Sequence, residues 1–464
     1  MSWKPKIGDH KGPKYLALFT SLAADIRSGR LQPGYRLPSQ RQLASDLKID
    51  LTTVTRAFNE ARKQGLIEAS PRRGSFVRPS PNLYYYSSSH SDDSRIVNLS
   101  NNTPPQPVEA KLNEHIGNGI AAVFSSPQSL LHLDYQDSAG AADDRLAGAS
   151  WLAPRIGDTP AERVLVVGGA QTAISALLSS LLAVGDSVCA PVCTYPGLKA
   201  AASQRGVRLI PVATDDEGLV PAAFQECCER DRPAALYCVP TIDNPTTATL
   251  PLKRREEIAR IAERFGVAII EDDAYGALPS QEIPPIATLA PTITWYIATL
   301  SKCVTPALRI AYVVAPGLSE SLHLAAAVRA TIWMAPSLMA ALVSRWIRDG
   351  IVDEITRAVR RESVARQAIA QEVLHGFGVQ GHPEGHNAWL GLPGHWRQSD
   401  LLAYAGQQGI ALVPSDAFAI GPAPDAIRLS LGAPQDRISL ERGLRILAAV
   451  LSQRTPAMSG HVYL

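Results

Sequence analysis

The sequence has no long uninterrupted apolar run. Its most apolar helix-like region, His323 to Ile347, is broken by Arg329, Pro336 and Arg345. It reads as packed protein, because a membrane span needs about 20 consecutive apolar residues. No basic-then-apolar leader opens the chain, since Met1 to Lys14 is polar; the expectation is a cytoplasmic protein with no membrane partner. Cysteine is sparse and unpatterned. The six thiols, Cys189, Cys193, Cys227, Cys228, Cys238 and Cys303, include no CxxC spacing. They read as reduced cytosolic thiols, which argues against a disulfide frame and against a zinc or other metal site. Charge of one sign is not in excess either, with a net charge of +2. That balance conceals a split. The first 80 residues hold 15 Lys and Arg against 6 Asp and Glu, and the remainder hold 30 against 37. A basic head on an acidic body predicts that the head meets a polyanion.

A chain of 464 residues is long enough for two or three domains. In the head, Leu16, Phe19, Ala23 and Ile26 recur at helical spacing, and Gly29 ends that helix. Ser39-Gln40-Arg41-Gln42 has the form of a capping box opening a second helix, with Leu43, Ala44 and Leu47 inward. Asp50 is placed to cap a third helix. There Leu51, Val54, Ala57 and Phe58 face in, Thr52, Thr53 and Arg56 face out, and Gly65 closes it. Leu66 to Ala69 and Ser75 to Arg78 then pair across Ser70-Pro71-Arg72-Arg73-Gly74 as a hairpin with a basic tip. Two helices joined by a tight turn and followed by a basic hairpin make a winged helix-turn-helix. The third helix fits the major groove with Thr52, Thr53 and Arg56, while Arg72 and Arg73 reach phosphates or the minor groove. Residues 80–96, polar and poor in aliphatics, read as a flexible linker.

Beyond it, short apolar strands alternate with helices, which predicts an α/β domain with a mostly parallel sheet. One strand, Arg163 to Val167, runs through Gly168-Gly169-Ala170-Gln171 into a helix from Ala173, an arrangement that seats an anion. Another ends at Asn244. A third delivers Glu271-Asp272-Asp273-Ala274-Tyr275. Thr299-Leu300-Ser301-Lys302 lies between two buried strands, with Arg309 seven residues on. An ammonium is costly to bury, and a lysine held as a Schiff base escapes part of that cost. Thr299, Ser301 and Arg309 are groups that a phosphate needs. Cys303 reads as a packed bystander.

These pieces resemble known families. Gly34 to Ala44, Thr52 to Ala57 and Arg73 to Val77 resemble the GntR family of bacterial transcription regulators. That implies that Arg36, Ser39, Arg41, Thr52, Thr53, Arg56 and Gly74 contact or frame double-stranded DNA. From Tyr135 to Leu431 the chain resembles the fold-type I pyridoxal-phosphate enzymes, class I aminotransferases. The implied fold is an α/β domain with helices on both faces and a small α+β domain. The implied cofactor is pyridoxal 5'-phosphate, with Lys302 as the aldimine lysine. Asp272 is implied at the pyridine nitrogen, Tyr275 and Asn244 at the ring hydroxyl, and Tyr195 stacked on the ring. Gly169, Ala170, Gln171, Thr299, Ser301 and Arg309 are implied around the phosphate. Tyr135 would reach the phosphate of a second subunit, which implies a homodimer, and Arg428 would grip a carboxylate.

A GntR-type head at 1–79 fused to an aminotransferase-like body at 97–464 resembles the MocR subfamily. The resemblance implies a regulator that senses pyridoxal phosphate, an amino acid or an amine through internal and external aldimines at Lys302, with domain closure shifting the heads. Two alternatives stay open: an active aminotransferase with a vestigial head, and a regulator whose only ligand is the cofactor.

Overall fold

The computed structural model describes residues 3, 5, 14–27, 31, 35–63, 66–70, 74–77, 96–126 and 133–453. Gly29, Gly65, Arg72, Arg73, the linker up to residue 95 and the C-terminal tail lie outside them. The chain divides into two compact units, Met1–Asp92 and Asp93–Leu464.

In the first unit, α1 (Lys14–Arg27), α2 (Gln40–Leu47) and α3 (Leu51–Lys63) enclose Leu18, Leu22, Ile26, Leu43, Val54, Ala57 and Phe58. Ser39 caps α2, its hydroxyl accepting from the Gln42 amide at 3.2 Å. The reciprocal half of the predicted capping box is not made. The box needs Gln42 Oε1 to accept from the Ser39 amide; instead the side chain is held by its Nε2, which donates to the Asp46 carboxylate at 2.9 Å, a charge-assisted bond. Leu51, expected inward, is 41% exposed. It stands first in α3, one turn before the buried stripe of Val54, Ala57, Phe58 and Ala61 begins. The Asp50 cap is present and accepts from the Thr52 amide at 2.7 Å. The hairpin β1 (Ile67–Ser70) and β2 (Gly74–Val77) pairs Ile67 with Val77 and Ser70 with Gly74. Tyr35 to Leu37 adds a third edge through Leu37 N to Ser75 O, 2.9 Å, and Val77 N to Tyr35 O, 3.0 Å.

The second unit is built on a seven-stranded sheet. Its strands are β3 (Val164–Val167), β4 (Ser187–Pro191), β5 (Arg208–Val212), β6 (Ala235–Cys238), β7 (Ala268–Asp272), β8 (Thr294–Thr299) and β9 (Ala311–Val314). Their order is β3-β9-β8-β7-β6-β4-β5. Only β9 runs against its neighbours, so the expected mostly parallel α/β sheet is borne out. Every residue of β3, β4, β6, β8 and β9 is buried, as a sheet covered on both faces requires. The flanking helices include α4 (Ala142–Ile156), α5 (Ala170–Leu181), α6 (Pro196–Arg205) and the long α7 (Ile351–Val373). A smaller antiparallel sheet, β10 (Asn387–Gly391), β11 (Val413–Pro414) and β12 (Ala426–Ser430), packs with α8 (Arg437–Leu451) around a second core. Val97–Asn98, the first strand of this unit, pairs in parallel with Ile410–Ala411.

Two helical glycines separate packing from propensity. A Cβ at Gly148 in α4 would lie 2.4 Å from the Tyr312 ring, whereas one at Gly117, in the helix Leu112–Phe124, meets nothing within 4 Å. Gly117→Ala should stabilise the protein by about 0.4–1 kcal/mol. Gly148→Ala should destabilise it, because overpacking costs about 1–3 kcal/mol and exceeds the gain in helix propensity. Denaturant midpoints of the two variants should move in opposite directions.

Candidate functional site

Register brings three strand ends together. Val167 of β3 pairs with Ala311 of β9, and Ala311 with Thr299 of β8. The Gly168-Gly169 turn, Arg309 and the Thr299-Leu300-Ser301-Lys302 turn therefore meet at one edge of the sheet. Gly169 holds φ +93, and a Cβ there would lie 2.7 Å from Arg309 Nη2. Glycine is what lets the guanidinium lie against the start of α5. Arg309 itself takes φ +51 and donates to the Gly168 carbonyl at 3.3 Å. The Thr299 and Ser301 hydroxyls lie 3.0 Å apart. The sequence places the start of the helix at Ala173, but α5 begins at Ala170 with no side-chain cap. Its positive end, with the first-turn amides of Ala170 and Gln171 unsatisfied within the helix, therefore falls at the glycine turn. Amides, two hydroxyls and a forked cation are a seat for a phosphate-like dianion.

Lys302 Nζ donates to the Asn102 carbonyl at 2.6 Å. Its pKa is pushed down to about 7, first by desolvation and then by the positive charges of Arg428 and Arg309, against the pull of Asp272. A substantial neutral fraction near pH 7 makes this amine nucleophilic. Asp272, the last residue of β7, is buried, and its Oδ2 accepts from the Tyr237 hydroxyl at 2.7 Å. Its Oδ1 has no protein partner among the described residues. Burial pushes this carboxyl up to about 6, while the Tyr237 hydrogen bond opposes the rise. The Tyr275 hydroxyl accepts from Asn102 Nδ2 at 2.6 Å and from Asn387 Nδ2 at 3.2 Å.

Tyr195 is half-buried at the start of α6, beside Gln171, whose Nε2 donates to the Gly197 carbonyl at 3.0 Å. A Cβ at Gly197 would fall 2.0 Å from Gln171 Oε1 and 2.2 Å from the Tyr195 ring, so this glycine admits both side chains. Arg428, on β12, is fully buried. It donates through Nη1 to Asn244 Oδ1 at 3.0 Å and through Nη2 to the Ser100 carbonyl, and its guanidinium lies 5.2 Å from the Phe418 ring centre. Its Nε donor is unspent among the described residues. Asn244, read from sequence as a partner of the ring hydroxyl beside Tyr275, is thus engaged by Arg428 here. Tyr135 stands apart within the chain. It is 77% exposed, its ring 5.5 Å from Trp333. Cys303 is buried, with desolvation pushing its thiol up to about 12, which suits a packed bystander.

Sequence reasoning missed Tyr237, Asn102, Asn387 and His386. A tyrosine facing inward on a central strand is a usable signal, because its hydroxyl needs a buried partner. Asn102 reaches Lys302 across 200 positions of chain, and no local pattern encodes that. The His386 ring lies 5.6 Å from that of Tyr275. Desolvation, aided by Lys302 and Arg428, pushes its pKa down to about 3, so the ring stays neutral.

The head carries its own concavity, about 360 Å³ between the start of α2 and the hairpin, lined by Arg36, Ser39, Arg41, Leu51 and Gly74. On α3, Thr52 and Arg56 are exposed and Thr53 half-exposed. Among the described residues no helix is long and apolar enough to cross a membrane.

Fold and geometry define a fold-type I transferase body joined to a winged helix-turn-helix. Residues 94–447 match the family Aminotransferase class I and II, and residues 14–77 match Bacterial regulatory proteins, gntR family. The chain belongs to the aminotransferase class I and II family and carries a GntR-type head, the composition of the MocR subfamily. It is 31% identical to the HTH-type transcriptional regulator YdeF of Bacillus subtilis (strain 168), over 98% of both chains. It is 26% identical to the vitamin B6 salvage pathway transcriptional repressor PtsJ of Salmonella typhimurium, covering 90% of this chain and 94% of that one. Among solved structures it is similar to LysN, the α-aminoadipate aminotransferase of Thermus thermophilus, complexed with N-(5'-phosphopyridoxyl)-L-leucine. That match has a TM-score of 0.72 at 25% identity and covers 85% of this chain and 98% of that one.

Amine-selective labelling of Lys302 across pH, read by mass spectrometry, tests the electrostatics. Arg428→Met removes a positive charge and should raise the half-titration point above about 7. Asp272→Asn removes the opposing negative charge and should lower it.

Proposed function

We propose that this chain is a transcriptional regulator that holds pyridoxal 5'-phosphate in the body, reads an amino acid or amine there, and binds double-stranded DNA through the head. The observation that carries this reading is one chain that joins a pocket holding Lys302, Asp272 and Arg309 to a GntR-type head. Two features of that pocket suit the cofactor. Asp272 Oδ1 is a buried acceptor without a protein donor, as a pyridinium N–H would require. The lack of a Cβ at Gly169 lets the Arg309 guanidinium lie against that turn, beside first-turn amides, a donor set suited to a phosphate. Bound there, the cofactor supplies an aldehyde and an electron-accepting ring.

The residues then divide the work. Lys302, with a neutral amine, would hold the cofactor's aldehyde carbon. Asp272 would pair with the ring nitrogen, and Tyr237 holds that carboxylate in place. Tyr275 and Asn244 would serve the ring hydroxyl, and Tyr195 would pack on the ring. Gly169, Ala170, Gln171, Thr299, Ser301 and Arg309 anchor the phosphate. Tyr135 reaches the site of a second subunit in a homodimer. Arg428 exchanges part of its hold on Asn244 and Ser100 for a ligand carboxylate. In the head, Arg36, Ser39, Arg41, Thr52, Thr53, Arg56 and Gly74 meet the duplex, with Arg72 and Arg73 at the wing tip.

Coupling needs an element that both events bias. The segment entering the body supplies one. Ser100 accepts from Arg428 and Asn102 from Lys302, a few residues after the linker. A ligand that displaces either bond acts on the chain nearest the head. Turnover as an aminotransferase is the second reading, favoured by the likeness to LysN and by the near-neutral Lys302.

An absorbance scan with added pyridoxal phosphate, beside a mobility shift on the protein's own upstream DNA, tests the proposal. A visible band should appear and vanish in Lys302→Ala. Arg56→Ala should weaken DNA binding by about 1–3 kcal/mol if it reads a base edge. Fast amino-acid turnover without any shift would decide for the enzyme.

A further inference from the structure

Between α4, β8 and α7 lies a cavity of about 520 Å³, within the range of small-molecule sites. It borders the Lys302 pocket through Thr299, but the proposed regulator role uses none of the residues invoked for it below. Two of its lining residues have unmet hydrogen-bonding capacity. Asp273 is buried; its Oδ2 accepts from Arg155 Nε and from the Tyr296 hydroxyl at 2.7 Å, while Oδ1 has no protein partner among the described residues. The Thr356 hydroxyl, also buried, is taken up by the Cys303 thiol. Arg357, exposed at the rim, spends one N–H on the Asp353 carbonyl at 3.2 Å. Its terminal nitrogens have no protein partner among the described residues. Arg155, by contrast, is committed to Asp273, to Thr241 and to the Ile283 carbonyl. Trp151 supplies an apolar wall.

An ionised carboxylate only accepts hydrogen bonds. Burial acts to raise the Asp273 pKa, but the charge and hydrogen bond of Arg155 and the Tyr296 hydroxyl outweigh it and hold the pKa below the usual carboxylate range. Oδ1 is therefore a standing negative acceptor in want of an N–H. Arg357 is a forked donor in want of a carboxylate. We propose that this cavity is a second, non-covalent site for a small zwitterionic amino acid, with its ammonium on Asp273 Oδ1, its carboxylate on Arg357 and its carbon chain against Trp151. Asp273 directly follows Asp272, so an ammonium bound there places positive charge beside the carboxylate of the Lys302 pocket. That coupling rests on the cofactor reading; the binding does not.

The test uses the full-length Lys302→Ala protein without cofactor, so that covalent capture contributes nothing. The probes are the ω-amino acids from β-alanine to 6-aminohexanoate, with propylamine and propionate as single-ended controls, measured by titration calorimetry. At least one ω-amino acid should bind once per chain, and about tenfold tighter than either control, since each control lacks one of the two charged ends. Arg357→Met, an exposed position, and Asp273→Asn, which removes the negative charge of the acceptor, should each weaken that binding about five- to tenfold while the circular dichroism spectrum stays unchanged. No binding by any probe, binding no tighter than the controls, or binding indifferent to both substitutions would each overturn the proposal and leave the cavity to solvent. Binding that persists when the wild type shows no absorbance band would sink the cofactor reading and leave this site standing.

Discussion

Burying a carboxylate and an amine in one pocket costs several kcal/mol unless they satisfy each other or something else does. Here they do only part of that. Lys302 gives a hydrogen bond to the Asn102 carbonyl, and Asp272 takes one from Tyr237. The desolvation is left showing as a lysine pushed down to about 7 and an aspartate pushed up to about 6. Well-packed apolar residues would serve stability at least as well. An arrangement that leaves Asp272 Oδ1 without a donor and holds the amine near neutrality makes physical sense as a site awaiting a ligand with an N–H and an aldehyde. Much else in the body reads as the framework that keeps those two groups close but apart.

The sheet provides the first part of that framework. Asp272 ends a central parallel strand with neighbours on both sides, so its backbone has little freedom to relax toward solvent. The reversed strand β9 returns the chain beside β3. That reversal sets Arg309 against Gly169 and puts the anion seat at the same sheet edge as the lysine turn. The second part comes from far away in sequence. Asn102 and Ser100 arrive from the start of the body, and Arg428 and Asn387 from the small domain. The pocket is closed by two segments that the large sheet does not itself fix.

That division explains what was legible in the sequence. Gly169, Asp272, Tyr275, Lys302 and Arg309 sit at strand ends, and strand ends are visible as apolar β-branched runs that stop at polar or glycine residues. Their grouping follows from an alternating pattern. The head was legible for a related reason, since Val54, Ala57 and Phe58 mark one helix face and leave Thr52 and Arg56 on the other. The closing residues were not legible. Asn102 lies in an irregular stretch, and its bonds to Tyr275, Lys302 and Asn387 span 173, 200 and 285 positions. The capping box misled because sequence shows that Gln42 can reach back but not that Asp46 competes for it. Leu51 misled because a helix begins before its buried stripe does.

The arrangement also bears on how one pocket serves either an enzyme or a switch. A catalyst gains only from contacts that strengthen in the transition state. A sensor gains only from contacts that differ between two resting states. Lys302, Asp272 and Arg309 meet the first need in either case. Ser100 and Asn102 would meet the second, because they already engage Arg428, Lys302 and Tyr275 and, in the proposed reading, yield when a ligand binds. In a protein that was only an enzyme, self-contacts of this kind would lower the affinity for substrate without aiding the chemistry. In a regulator they set the resting state, and the difference between their free energy and the ligand's determines how far the equilibrium can move. Those contacts lie on the segment that begins where the linker ends, so in the proposed reading any free energy released at the lysine would act first on the part of the body nearest, along the chain, to the basic head.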